Sequence, residues 1–164
     1  MSAIPSRVYI ETTVVSYLTA WPSKDVIVAG HQKSTHDWWD EDRQKYRLFA
    51  SDVVYEEASK GDPTAAQERL EVLKELTLLT SLPEVRRLAN ELVFAKALPA
   101  KASEDAAHIA IAAVWKMDYL LTWNMRHMDN AFMKPHIEAV CIRMGFKAPT
   151  ICNPEALYEA IRHD

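Results

Sequence analysis

Apolar and polar positions along this chain follow two rhythms. Short runs of β-branched, aromatic and aliphatic residues alternate with longer stretches in which apolar residues return every three or four positions. Val8-Tyr9-Ile10 is the first short run. It suits a buried strand and passes directly into Glu11-Thr12-Thr13. Residues 48–55 predict a second strand or a strand-to-helix turn. Residues 77–82 predict a third strand, closed by Pro83. Residues 117–124 form the plainest strand pattern in the chain, and residues 149–152 a last short one.

The helical rhythm fills the intervals. Pro22-Ser23-Lys24-Asp25 reads as a break and a helix start, with Ser23 as the cap and Asp25 in the first turn. From there to about residue 49 the pattern predicts a long, interrupted helix, with Gly30 as a candidate weak point. Adjacent Trp38 and Trp39 cannot share a narrow stripe, so one of them is expected at the surface. Lys60-Gly61-Asp62-Pro63 ends one helix and opens the next. Further helices are predicted over residues 64–73, 84–97, 103–115, 132–144 and 154–162. This alternation predicts an α/β fold. The expectation is a single three-layer domain over residues 1–164, with a mostly parallel central sheet flanked by helices.

Composition narrows the classes without choosing a function. A chain of 164 residues with 49% hydrophobic residues and three glycines suits one compact, helix-rich unit. No apolar run approaches the ~20 residues of a membrane span. The first seven residues lack a secretory pattern, so the expected location is cytoplasmic. Cys141 and Cys152 read as reduced thiols and lack a zinc-type spacing. The net charge of −4 gives no global footprint for nucleic acid, although a local basic groove beside an acidic site would be hidden in that total.

Oxygen-bearing side chains recur where strands end. Glu11 follows the first strand, Glu56 or Glu57 the second, and Asn124 the fourth; Asp105 opens the alanine-rich helix. Converging on one sheet edge, they would suit a hard cation such as Mg2+ or Mn2+, and such clusters activate water against phosphodiesters. Each also has a plain structural role. Glu11 and Asp105 could complement helix dipoles, Glu56-Glu57 could form a solvated turn, and Asn124 could end a strand. Spacing alone leaves both readings open.

Four stretches, taken in order, resemble the motifs of the PIN-domain family. They are Val8-Tyr9-Ile10-Glu11-Thr12-Thr13, the segment Ser51-Asp52-Val53-Val54-Tyr55-Glu56-Glu57, the run Glu104-Asp105-Ala106-Ala107-His108-Ile109-Ala110-Ile111-Ala112, and Asp118-Tyr119-Leu120-Leu121-Thr122-Trp123-Asn124. The resemblance spans about residues 7–153. It implies a Mg2+- or Mn2+-dependent ribonuclease of the VapC toxin type, acting on RNA, paired with a cognate antitoxin protein and forming a homodimer. Carried over by position, Glu11, Glu57 and Asp105 match the three acids and are the implied metal ligands, with Glu56 as fallback for the second. Asn124 completes the implied catalytic set, binding through water or orienting a ligand. Thr12 or Thr13 matches the hydroxyl after the first acid, and Thr122 belongs to the last motif.

Two positions depart from the family pattern. Glu11 stands where aspartate is usual, and Asn124 supplies a neutral group where a carboxylate is common. Both changes weaken hard-ion binding, which follows ligand charge and count. They favour an alternative reading, a catalytically silent PIN-like module that binds RNA or protein. A phosphatase of small substrates is a third, weaker option. Arg126 and His127 are the nearest candidates for gripping a phosphate, against a plain solvated loop. His108, three residues past Asp105, reads as a hydrogen-bonded packing residue rather than a base. Trp38, Trp39 and Tyr46 lie among mixed charges, which favours core and partner-contact roles over single-strand binding. Met125, Met128 and Met133 read as core filler.

Overall fold

Strand β1 (Arg7–Ile10) is buried from Val8 onward, as a central parallel strand covered on both faces must be. A computed structural model describes residues 3–158. In it β1 is the middle strand of a five-stranded sheet with order β3-β2-β1-β4-β5. The others are β2 (Arg47–Ser51), β3 (Thr77–Leu79), β4 (Tyr119–Leu121) and β5 (Thr150–Cys152), and every neighbouring pair is parallel. The α/β expectation therefore holds, with a sheet that is wholly parallel.

The helices are α1 (Thr12–Thr19), α2 (Val26–Glu41), α3 (Asp52–Ala58), α4 (Pro63–Leu73), α5 (Pro83–Phe94), α6 (Ser103–Val114), α7 (Lys134–Arg143) and α8 (Pro154–Leu157). Helix α1 packs on α2, α3 and α4, while α5 packs on α6 and α7. Right-handed crossovers put these two groups on opposite faces of the sheet. Connections leave β1 towards β2 and leave β4 towards β5, so the chain changes direction between β1 and β4. Open α/β sheets bind ligands at the carboxyl ends beside such a reversal.

Several local expectations are corrected. Asp25, not Ser23, caps α2, because its Oδ1 sits immediately before the helix and accepts from the amides of Ile27 (2.9 Å) and Val28 (3.0 Å). Ser23 Oγ instead accepts from the Asp25 amide. Helix α2 passes through Gly30 unbroken and stops at Glu41. A 3-10 turn (Arg43–Lys45) then leads into β2 at Arg47, so the long helix to residue 49 does not form. Pairing of residues 47–49 with β1 overrides the local helical pattern.

Trp38 and Trp39 are both buried, at 0% and 9% exposure. Helix α2 packs on α1 and also on α8, which widens its covered stripe. Trp38 further stacks on Tyr46, and the Arg43 guanidinium covers the Trp39 ring at 4.7 Å. Met128 is core, but Met125 is 45% exposed and fills nothing. Strand β3 is shorter than its apolar run. Beyond residue 158 the expected last helix lies outside the described residues. Both cysteines are free thiols, and no helix among the described residues is long and apolar enough to cross a membrane.

Candidate metal centre

The buried polar and charged side chains among the described residues are Glu11, Gln32, Thr35, Asp42, Ser51, His108 and Thr122. Glu11, Ser51, His108 and Thr122 gather where β1, β2 and β4 end. Burying polar groups costs free energy unless each finds a partner, so this concentration marks a built arrangement.

The register explains it. Ile10 stands opposite Leu121, and the Glu11 amide still donates to the Leu121 carbonyl (3.1 Å), which sets Glu11 beside Thr122. Glu11 then caps α1. Its Oε2 accepts from the Thr13 amide (3.0 Å), from Thr13 Oγ1 and from Thr122 Oγ1 (2.9 Å). Among the described residues no donor reaches Oε1. The helix-start role and a place in the polar cluster thus belong to one side chain.

Glu57 reaches the same point from α3, while Glu56 on the same turn is exposed. Glu57 Oε1 accepts from Thr12 Oγ1 (2.6 Å) and lies 2.7 Å from His108 Nε2. Burial pushes the Glu57 carboxyl upward, but the His108 and Thr12 hydrogen bonds and the His108 charge outweigh it and leave it below the usual carboxylate range. Burial pushes the His108 imidazole down. The Glu57 bond and the charges of Glu11, Glu57 and Asp105 outweigh that and hold it above its ordinary value. Both shifts come chiefly from this one close contact between carboxylate and imidazole, set against burial.

The other ring nitrogen, His108 Nδ1, lies 2.7 Å from Tyr9 Oη, which lies 2.7 Å from Ser51 Oγ. Ser51 Oγ also accepts from the Val54 amide (3.2 Å) and so caps α3, the helix that carries Glu57. Burial pushes the Tyr9 hydroxyl well above its usual pKa, so it keeps its proton. One ligand atom each from Glu11, Glu57 and His108 lie within 4.8 Å of one another. Two carboxylates and an imidazole are a donor set that fits a divalent cation.

The remaining expected site residues lie nearby in other roles. Asp105 sits one turn before His108 on α6, and its Oδ2 takes a hydrogen bond from His127 Nδ1 (2.9 Å). It is not among the three gathered ligand atoms, although its charge acts on His108. Asn124 Oδ1 accepts from the His127 amide (3.0 Å), and its own amide donates to Thr122 Oγ1 (2.9 Å). Arg126 is exposed on that loop. The hydroxyls of Thr12, Thr13 and Thr122 are engaged in orienting carboxylates. Trp123 locks the end of β4: its amide donates to Thr13 Oγ1 (2.9 Å), its indole to Thr35 Oγ1 (2.8 Å), and its ring stacks on His31 at 4.1 Å.

Sequence reasoning placed His108 as a hydrogen-bonded residue, which it is, but left Tyr9 and Ser51 unread. A hydroxyl inside an apolar strand and a histidine inside an alanine–isoleucine helix were the available signals.

No family model and no curated protein matches the sequence. Solved structures do match the fold. The chain is similar to one in the crystal structure of VapBC2 from Rickettsia felis bound to a DNA fragment from their promoter, with TM-score 0.59 and 14% identity over 90% of this chain and 98% of that one. It is also similar to Mycobacterium tuberculosis VapC20, a Sarcin-Ricin loop cleaving toxin, with TM-score 0.57 and 11% identity over 72% of this chain and 90% of that one. The fold is the PIN-like fold of these VapC structures.

Proposed function

We propose that this protein is a divalent-metal-dependent ribonuclease and the toxin component of a toxin–antitoxin pair. The observation that carries the reading is the convergence of Glu11, Glu57 and His108 at the chain reversal of a PIN-like sheet. Likeness to VapC20 supports RNA as substrate, and likeness to the VapBC2 structure supports a cognate antitoxin as partner. The expected homodimer and cytoplasmic location belong to the same proposal.

When bound, Mg2+ or Mn2+ supplies a more acidic water and positive charge against the attacked phosphate. The protein's residues supply position. Glu11 is oriented by three hydrogen bonds and Glu57 by Thr12, which hold the two carboxylates at one point. Asp105 adds a third carboxylate one helical turn away. The exposed Arg126 presents a guanidinium to the phosphodiester, beside His127, which Asp105 and Asn124 hold in place.

Induced expression in a bacterial host tests this reading. Wild type is expected to arrest growth with loss of intact RNA, and Glu57→Gln at equal protein level is not. Absence of arrest by wild type, or equal arrest by the variant, contradicts it.

A further inference from the structure

The site departs from an all-oxygen set at one place. His108 is fully buried, comes from α6, and brings Nε2 to the same point as Glu11 and Glu57. Its ring is fixed from behind. Nδ1 is paired with Tyr9 Oη, Tyr9 Oη with Ser51 Oγ, and Ser51 Oγ with the first turn of α3. A metal-bound histidine characteristically donates its second ring N–H to an oxygen that sets tautomer and orientation. Tyr9 Oη stands where that oxygen is needed. The two carboxylates are oriented in the same way, by Thr12 on one side and by Thr13 and Thr122 on the other. All three donors therefore have supporting hydrogen bonds from residues outside the trio.

Resting on the metal-site reading above, we propose that His108 Nε2 is a direct ligand, and that the site selects a transition ion that accepts nitrogen, such as Mn2+, over Mg2+. Mg2+ strongly prefers oxygen donors and keeps its waters, whereas imidazole suits the transition series. The preference comes from the third donor, since Glu11 and Glu57 alone would serve either ion.

The test uses the purified full chain with Mn2+ or Mg2+ alone. Electron spin echo spectroscopy of the Mn2+-loaded protein is expected to show nitrogen coupling from one directly bound imidazole, absent in His108→Gln. Thermal titration is expected to show tighter binding of Mn2+ than of Mg2+, a gap that His108→Gln closes. Tyr9→Phe, which removes only the oxygen behind Nδ1, is expected to weaken Mn2+ binding about 10- to 100-fold and Mg2+ binding less. If His108→Gln does not fold, the wild-type spectrum decides. Mn2+ bound without nitrogen coupling, or an ion preference unchanged in the variants, overturns the inference and leaves a carboxylate site. Binding of neither ion overturns this inference and the metal-site reading together.

Discussion

Replacing Ser51 by alanine removes one oxygen atom that joins three parts of the site. Ser51 Oγ caps α3 through the Val54 amide at 3.2 Å, and it meets Tyr9 Oη at 2.7 Å. Helix α3 carries Glu57, and Tyr9 holds His108 Nδ1. Loss of a helix cap costs about 1 kcal/mol. Loss of the buried Tyr9 bond costs about 1 kcal/mol more. The sum, about 2 kcal/mol, corresponds to roughly 4–8 °C in Tm for a domain of this size. Asp62→Ala is the internal control. Asp62 Oδ2 caps α4 through the Ala65 amide at 2.9 Å on the exposed surface, so its removal costs the cap alone, about 1 kcal/mol. Urea unfolding followed by tryptophan fluorescence, with the midpoint compared at constant m, gives both values. Mn2+ affinity measured on the same variants is expected to fall in Ser51→Ala and to stay unchanged in Asp62→Ala. A Ser51→Ala cost no greater than the Asp62→Ala cost, or an intact Mn2+ affinity, would refute the linkage between β2, Tyr9 and the ligands.

Three further outcomes are expected. Glu57→Gln abolishes the rise in Tm produced by Mn2+, about 2.7 kcal/mol of stabilisation at 100 times Kd in the wild type, whereas Glu56→Gln on the exposed side of the same turn keeps it. Arg126→Ala leaves stability within about 0.5 kcal/mol and the Mn2+ response intact, yet weakens RNA binding in a filter or anisotropy assay. Burial pushes the Cys141 and Cys152 thiols up to about 11 and about 12, so iodoacetamide at pH 8 labels them only after unfolding. Because the folded values lie above the unfolded ones, the thiols' contribution to stability is fully present below about pH 8.5 and is lost as pH rises through about 11 and about 12. Denaturant midpoints at pH 7.5 and pH 10 measure that loss.

The strands were legible because each is a continuous apolar run buried in a parallel sheet, as Val8-Tyr9-Ile10 shows. Asp62-Pro63 was legible because a capping acceptor before a proline has one local meaning. The end of α2 was not, since Trp38 to Phe49 mixes charges and aromatics in a way either element tolerates. Pairing with β1, forty positions earlier, decides it. Both tryptophans are buried because α2 meets neighbours on two sides, which no single-helix pattern reveals. At the site, the ordered motifs point to Glu11 and Glu57, whose ligand atoms lie close together, while Glu56 is exposed. The part played by His108 was hidden because its partner Tyr9 lies 99 positions away. Asp105 pairs with His127, 22 positions away, beyond the reach of any helical spacing rule.

Incubation of the purified chain with end-labelled RNA tests the central claim most directly. The expected result is discrete cleavage in Mn2+ that EDTA abolishes and that Glu57→Gln lacks under identical conditions. Cleavage that persists in EDTA, or intact RNA in both Mn2+ and Mg2+ with folded wild-type protein, would contradict it.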